Sequence, residues 1–268
     1  MAFFTQIKQN RSHSVSSNSQ QPTVFNFLKK EPNYAPKQSL AFLSVDMHCH
    51  MLPGVDDGAR NVDDALEMAA AYNQLGIQKI WLSPHINESF PNTTAQLQEC
   101  FQDLRHALAV DYPNIEIHLG AEYKVDALFK ERLANKDLLT IGERHVLIEL
   151  PFFHPPMGWE EDLFQLQMAG YIPILAHSER YAYMMDQWDT LMELHDRGIE
   201  LQLNLLSLDG HYGQPARQLA KKLLKQQAYQ WVATDAHASR HLHKIRSHIL
   251  PKWPKQLTTE QFKRNLEL

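Results

Sequence analysis

Only two cysteines, Cys49 and Cys100, occur among the 268 residues. That is too few for the disulfide framework of a small secreted scaffold, so a reducing, cytoplasmic setting is the expectation. Basic residues are not in excess either. The 26 Lys and Arg against 31 Asp and Glu leave a formal net charge of −5, which argues against nucleic-acid binding through a basic patch or stripe. No apolar run approaches the roughly 20 residues that a membrane-spanning helix needs. The opening MAFFTQIKQN lacks the basic start, apolar stretch and small-residue cleavage site of a secretory signal. What the chain does have is a 44% hydrophobic fraction and 15 histidines. The first lets the chain bury a real core, and its length fits one large domain, or a single α/β barrel plus a tail. The second acquires meaning only from where the histidines fall.

Residues 1–38 are rich in Ser, Asn, Gln and Lys and read as a flexible N-terminal arm. From residue 39 to 268 the pattern is that of one domain. Short apolar, β-leaning runs cover Phe42–His50, Lys79–Ser83, Ile115–Gly120, Val146–Leu150, Ile172–Ala176, Glu200–Asn204 and Trp231–Thr234. Amphipathic stretches separate them near 61–75, 94–109, 125–134, 160–169, 186–197 and 214–227. In the first of these, Asn61 is a natural N-cap and Gly76 a natural stop. Strands that alternate with helices pair in parallel. The expected fold is therefore α/β, and the seven strands suit a closed or nearly closed (β/α) barrel better than a short open sheet.

Metal-type side chains recur at the C-terminal ends of those strands, where barrel enzymes keep their chemistry. The first run ends Asp46-Met47-His48-Cys49-His50, and strand alternation points His48 and His50 the same way. Asp56-Asp57-Gly58 follows in the next loop. Later runs end in His85, Glu122, Glu149 and His177, and the last in Asp235-Ala236-His237. A lone strand-end histidine is usually structural. Nine candidates in register (His48, His50, Asp57, His85, Glu122, Glu149, His177, Asp235 and His237) are hard to explain that way, because buried ionisable groups are costly unless paired or metal-bound. One ion needs three or four protein ligands, so nine imply two or three divalent ions. The other histidines have blander readings. His106 and His195 sit in helical patterns, His118 lies mid-strand, and His145 precedes a strand. His13 is in the arm, His154 and His211 are in loops able to rim a pocket, and His241, His243 and His248 fall on helix surfaces.

Several stretches carry a family resemblance: Asp46 to Gly58 with its LPGVDDG, Ser83-Pro84-His85, Gly120-Ala121-Glu122, Leu147 to Pro151, Gly170 to Arg180 (GYIPILAHSER) and Thr234 to His237. Over about residues 43–250 the chain resembles the polymerase and histidinol phosphatase (PHP) superfamily. Within it, the chain resembles the bacterial tyrosine-protein phosphatases of capsule and exopolysaccharide loci. The resemblance implies a distorted seven-stranded (β/α) barrel, TIM-barrel-like, and a three-metal site, often manganese, with iron or zinc as alternatives. It also implies hydrolysis of protein phosphotyrosine, the substrate being an autophosphorylating tyrosine kinase of polysaccharide export. All nine candidates match ligand positions of that family, with Asp57 rather than Asp56 as the loop carboxylate. Arg180 matches a phosphate-binding arginine. Arg240 is the candidate for a second one, in a segment shorter than in some relatives, and Ser178 stands where proline is usual.

Other readings remain at this point. The same barrel also serves histidinol-phosphate and sugar-phosphate phosphatases, and loops rather than metals choose between them. A metal-dependent amidohydrolase would call for a bridging lysine at a strand end, and none is found. A non-catalytic, metal-binding scaffold is a reading of another class. Cysteine-based catalysis needs Cys, five residues, then Arg; that offset lands on Val55 from Cys49 and on His106 from Cys100. Both cysteines therefore read as packing residues. Phe152, Phe153, His154, Met157 and Trp159, after the strand that ends at Glu149, are candidates to grip a substrate ring.

Overall fold

The computed structural model describes residues 40, 43–185, 188–253, 257 and 262–268. The arm expected over 1–38, and Phe42 in the first run, lie outside them. Strands and helices alternate from the start: β1 (Val45–Cys49), α1 (Val62–Leu75), β2 (Lys79–Leu82), β3 (His85–Ile86), α2 (Thr94–Asp111), β4 (Glu116–Leu119), β5 (Glu122–Lys124) and α3 (Ala127–Ala134). Then come β6 (His145–Glu149), α4 (Trp159–Met168), β7 (Ile172–Leu175), α5 (Trp188–Asp196), β8 (Glu200–Asn204), α6 (Gln214–Lys225), β9 (Trp231–Ala233), α7 (Ser239–Lys244) and α8 (Lys263–Leu266).

Local chemistry sets these boundaries. The Asn61 side chain accepts from the Asp64 N–H at 2.9 Å and starts α1. Gly76, at φ 78°, ends it in the left-handed conformation that glycine adopts without strain. Thr93 and Gln96 form a reciprocal capping box at the start of α2. No helix among the described residues is long and apolar enough to cross a membrane.

All strand pairs are parallel, as alternation requires. One ladder runs β1-β2-β4 and the other β3-β5-β6-β7-β8-β9, a curled parallel sheet that forms a half-barrel. Two of the expected strands are interrupted. Pro84 has no N–H to give the ladder and separates β2 from β3. Gly120-Ala121 separates β4 from β5. Between β1 and β9 a single parallel bridge joins Cys49 to Ala236.

Two irregularities aim side chains at one face. Val45 and Met47 pack with Leu147, Ile174 and Trp231, whereas Cys49 packs in the other apolar cluster. The register of β1 against β2 shifts between Asp46 and Cys49. That shift reverses the alternation, so His48 and His50 continue on the face of Met47. On β7, Ile174 and Ala176 line this face, and His177 follows out of phase. It joins by turning through φ 33°.

Candidate metal centre

Three groups of side chains bring ligand atoms within 4.8 Å of one another: His50, Asp57, His85 and His237; His48, His50 and Asp235; and Glu122, Glu149 and His177. Together they contain all nine candidates. The Nε2 atoms of His48 and His50 lie 3.2 Å apart, each 3.3 Å from Asp235 Oδ1. Glu122 Oε2 is 3.4 Å from His48 Nε2, 3.5 Å from His50 Nε2 and 3.0 Å from His85 Nδ1. Its other oxygen is 3.0 Å from His177 Nε2. Asp57 Oδ1 faces His85 at 3.5 Å and His237 at 3.4 Å.

The donor set fits divalent cations. Glu122 Oε2 and His85 Nδ1 are buried 3.0 Å apart without a well-aligned hydrogen bond, an arrangement that a shared cation would relieve. Imidazole and carboxylate together suit manganese, iron or zinc. His177 and Asp235 both hold left-handed backbone, φ 33° and 48°, strain of about 1–3 kcal/mol each of the sort that clusters at functional sites.

Without ions the carboxylates hold protons on the imidazoles. Burial opposes protonation of His48, but Glu122 and Asp235 outweigh it and raise it to about 9. Burial is likewise outweighed at His85, raised to about 10 chiefly by Glu122, and at His237, raised to about 9 by Asp57 and Asp235. His48 and its neighbours in turn overcome burial and hold Glu122 and Asp235 well below the usual carboxylate range. His177 goes the other way. Burial and Arg180 push it down to about 4. Glu149 is raised to about 7 by burial and by Glu122.

Outer groups orient the inner ones. Asp56 Oδ2 accepts from His50 Nδ1 at 2.8 Å and from the His85 N–H at 3.0 Å. Gln202 Oε1 accepts from His48 Nδ1 at 3.1 Å and from the His177 N–H at 3.0 Å. Both rings thus donate outward through Nδ1 and turn Nε2 inward, where an ion would take its lone pair. Asn204 donates to Asp235 Oδ2 at 2.7 Å. Gly58 permits the loop to fold this closely, since a Cβ there would lie 2.0 Å from the His50 carbonyl oxygen. Asp56→Ala is expected to weaken metal affinity about 10–100-fold, the usual effect of losing such an orienting group; competition with a fluorescent chelator reads it.

Arg180 is fixed beside the cluster. Its guanidinium donates to Asp235 Oδ2 at 3.0 Å and lies over Tyr212 and Phe152, 3.9 and 4.4 Å from the ring centroids. Asp235 thus splits its oxygens, one toward the histidines and one toward Arg180 and Asn204. Asp235, Arg180, Phe152 and Tyr212 line a cavity of about 310 Å³ whose rim includes His211, Arg240 and His241. Arg240 is exposed and makes no ion pair among the described residues. His241 departs from its expected place on a helix surface, because a half-turn into α7 carries its ring to the rim. Of the aromatic loop, Phe152 lines the cavity, Trp159 is buried at the start of α4, and Phe153 and Met157 are exposed. Cys49 is fully buried, and burial pushes its thiol up.

Residues 44–265 match the family model described as "Capsular polysaccharide synthesis, CpsB/CapC". The chain belongs to the CpsB/CapC family. Among its relatives, the tyrosine-protein phosphatase YwqE of Bacillus subtilis is 33% identical over 195 residues, 72% of this chain and 77% of YwqE. The putative tyrosine-protein phosphatase CapC of Staphylococcus aureus is 29% identical, covering 72% of this chain and 77% of CapC. The tyrosine-protein phosphatase CpsB of Streptococcus pneumoniae is 27% identical, covering 72% and 82%. A solved structure from a study of YwqE and CpsB, called there unique metal-dependent tyrosine phosphatases, superposes with TM-score 0.71 at 30% identity, over 80% of this chain and 88% of that one.

In this CpsB/CapC chain, sequence reasoning missed the supporting layer. Gln202 and Asn204 sit one residue apart on β8, a strand with no metal-type side chain at its end. That gap among otherwise ligand-bearing strands was the available signal. Asp56 was passed over in favour of its neighbour, and Tyr212 was not singled out.

Proposed function

We propose that this chain is a metal-dependent phosphoesterase that hydrolyses phosphotyrosine on proteins. The observation that carries the reading is the continuous cluster of nine ligand-type side chains with Arg180 fixed in the same cavity. The relatives' activity supports it. The nine side chains are the proposed ligands of two or three divalent ions, manganese by preference. The substrate most in keeping with the family is an autophosphorylating tyrosine kinase of polysaccharide export, in the cytoplasm. We also read the two ladders as one distorted seven-stranded barrel. Support comes from the Gly120 and Glu122 N–H groups, which donate to Leu82 and Pro84 carbonyls across the strand breaks. The bridge of Cys49 to Ala236 joins the remaining edges.

When bound, the ions supply Lewis acidity toward water and toward a phosphoryl oxygen. The chain's residues do the rest. Arg180, held by Asp235 and stacked between two rings, meets the equatorial oxygens without a search for geometry. Phe152 offers a flat wall to the tyrosyl ring. A phenolate with pKa about 10 leaves without strong acid assistance, so the low basicity of His177 is no handicap. Arg240, at the rim, is the proposed second phosphate contact.

The test is to strip metals and restore Mn²⁺, then compare a phosphotyrosine peptide with histidinol phosphate. Restored turnover that favours the peptide is expected. Turnover confined to the small phosphate would keep the chemistry and refute the protein substrate, and none on either would refute both.

A further inference from the structure

One wall of the cavity is not accounted for by the ligand set or by Arg180. Helix α7 and the segment after β8 place two more imidazoles there, His241 and His211. Their ring centroids lie 5.4 Å apart, and that of His241 lies 6.1 Å from His237. Each ring is tied through one nitrogen. The His237 backbone N–H donates to His241 Nδ1 at 3.3 Å, and Lys244 Nζ donates to His211 Nδ1 at 3.2 Å. An amide N–H and an ammonium only donate, so both Nδ1 atoms are bare and the ring proton of each sits on Nε2. The result is two neutral N–H donors at the rim, in fixed tautomers.

We propose that His241, assisted by His211, is a substrate contact that donates its Nε2–H to a non-bridging oxygen of the phosphoryl group. This rests on the phosphoesterase reading above. A transferring phosphoryl group spreads charge over three equatorial oxygens, and fixed donors aimed at them are the main catalytic device available to a protein. The proposed ions and Arg180 approach from the strand ends; α7 and the segment after β8 supply further donors at the rim. His241 is half-buried while His211 is exposed, so water competes less for the His241 donor and its share is the larger. Arg240, exposed next to His241, remains the outer phosphate contact at the rim.

The experiment uses the manganese-loaded full chain and the variants His241→Ala, His241→Gln and His211→Ala. Manganese content, kcat and KM on a phosphotyrosine peptide, and inorganic-phosphate affinity by calorimetry are measured for each. His241→Ala is expected to keep its manganese and lose about 10²-fold in kcat/KM, the usual effect of removing one such donor, with weaker phosphate binding. His241→Gln restores an N–H and should recover part of the loss, and His211→Ala should cost only a few-fold. Unchanged rates and phosphate affinity in His241→Ala would overturn the proposal. So would manganese loss in proportion to activity, which would make His241 merely a brace for His237. A parent chain that binds manganese yet neither binds nor hydrolyses phosphate compounds would refute the phosphoesterase reading itself.

Discussion

Replacing His48 and His50 together by alanine is expected to abolish manganese-restored hydrolysis, by roughly 10³-fold or more if the ions supply several kcal/mol of transition-state stabilisation. The two imidazoles lie at the centre of the cluster. His50 belongs to two of the three ligand groups, and His48 adjoins both Glu122 and Asp235. Their loss leaves Glu122 with His85 and His177, and Asp235 with Arg180 and Asn204. Of the group His48, His50 and Asp235 only one ligand then remains, too few for an ion that needs three or four. The fold itself should survive, since Val45, Met47 and their neighbours pack below the histidines in a separate apolar cluster. Elemental analysis, circular dichroism and kcat/KM on one preparation decide the matter. A folded variant with full metal content and full activity would show that the ions sit elsewhere.

The part of this site legible in the sequence is the part governed by strand periodicity. His-x-His and Asp-x-His at run ends are local patterns, and side-chain alternation carries them to one face without knowledge of neighbours. Hence the nine candidates that the structure brings together could be picked from the chain, whereas Arg180 came from the family resemblance. The α/β class followed from the same rhythm. What was not legible depends on contacts distant in sequence. Gln202 matters because His48, 154 positions away, needs its Nδ1 proton held. Asp56 and Asp57 are chemically alike, and only the fold of the loop around Gly58 sends one behind His50 and the other toward His85 and His237. The register shift in β1 was also hidden, because alternation alone would have put Met47 and Cys49, rather than Met47 and His48, on one face. His241 was read as surface because a six-residue helix has too few turns to reveal which face it buries.

Metal loading at pH 7 is expected to release about three protons, the second large effect. In the metal-free protein His48, His85 and His237 are raised to about 9, 10 and 9, so at pH 7 all three rings are protonated. Ligation needs the lone pair, hence each ring must give up its proton to an incoming ion. The apparent affinity for the full complement should therefore climb by about three decades per pH unit through neutrality, and level off only above pH 9–10. Calorimetry in two buffers of different ionisation enthalpy measures the protons directly, and a value near zero would refute the exchange. Stability should follow the same groups. A histidine raised in the folded state stabilises fully below its unfolded value of about 6.5. That contribution is lost as pH rises through 9–10. Glu122 and Asp235, held low, stabilise above the unfolded carboxylate values of about 4, and their contribution is lost as pH falls through their depressed values. The metal-free chain should thus be steadiest in mildly acidic solution and soften toward pH 9. The manganese-loaded chain should gain stability over the same interval, because ions replace the departing protons. Melting curves with and without chelator between pH 6 and 9 would show the two lines diverging.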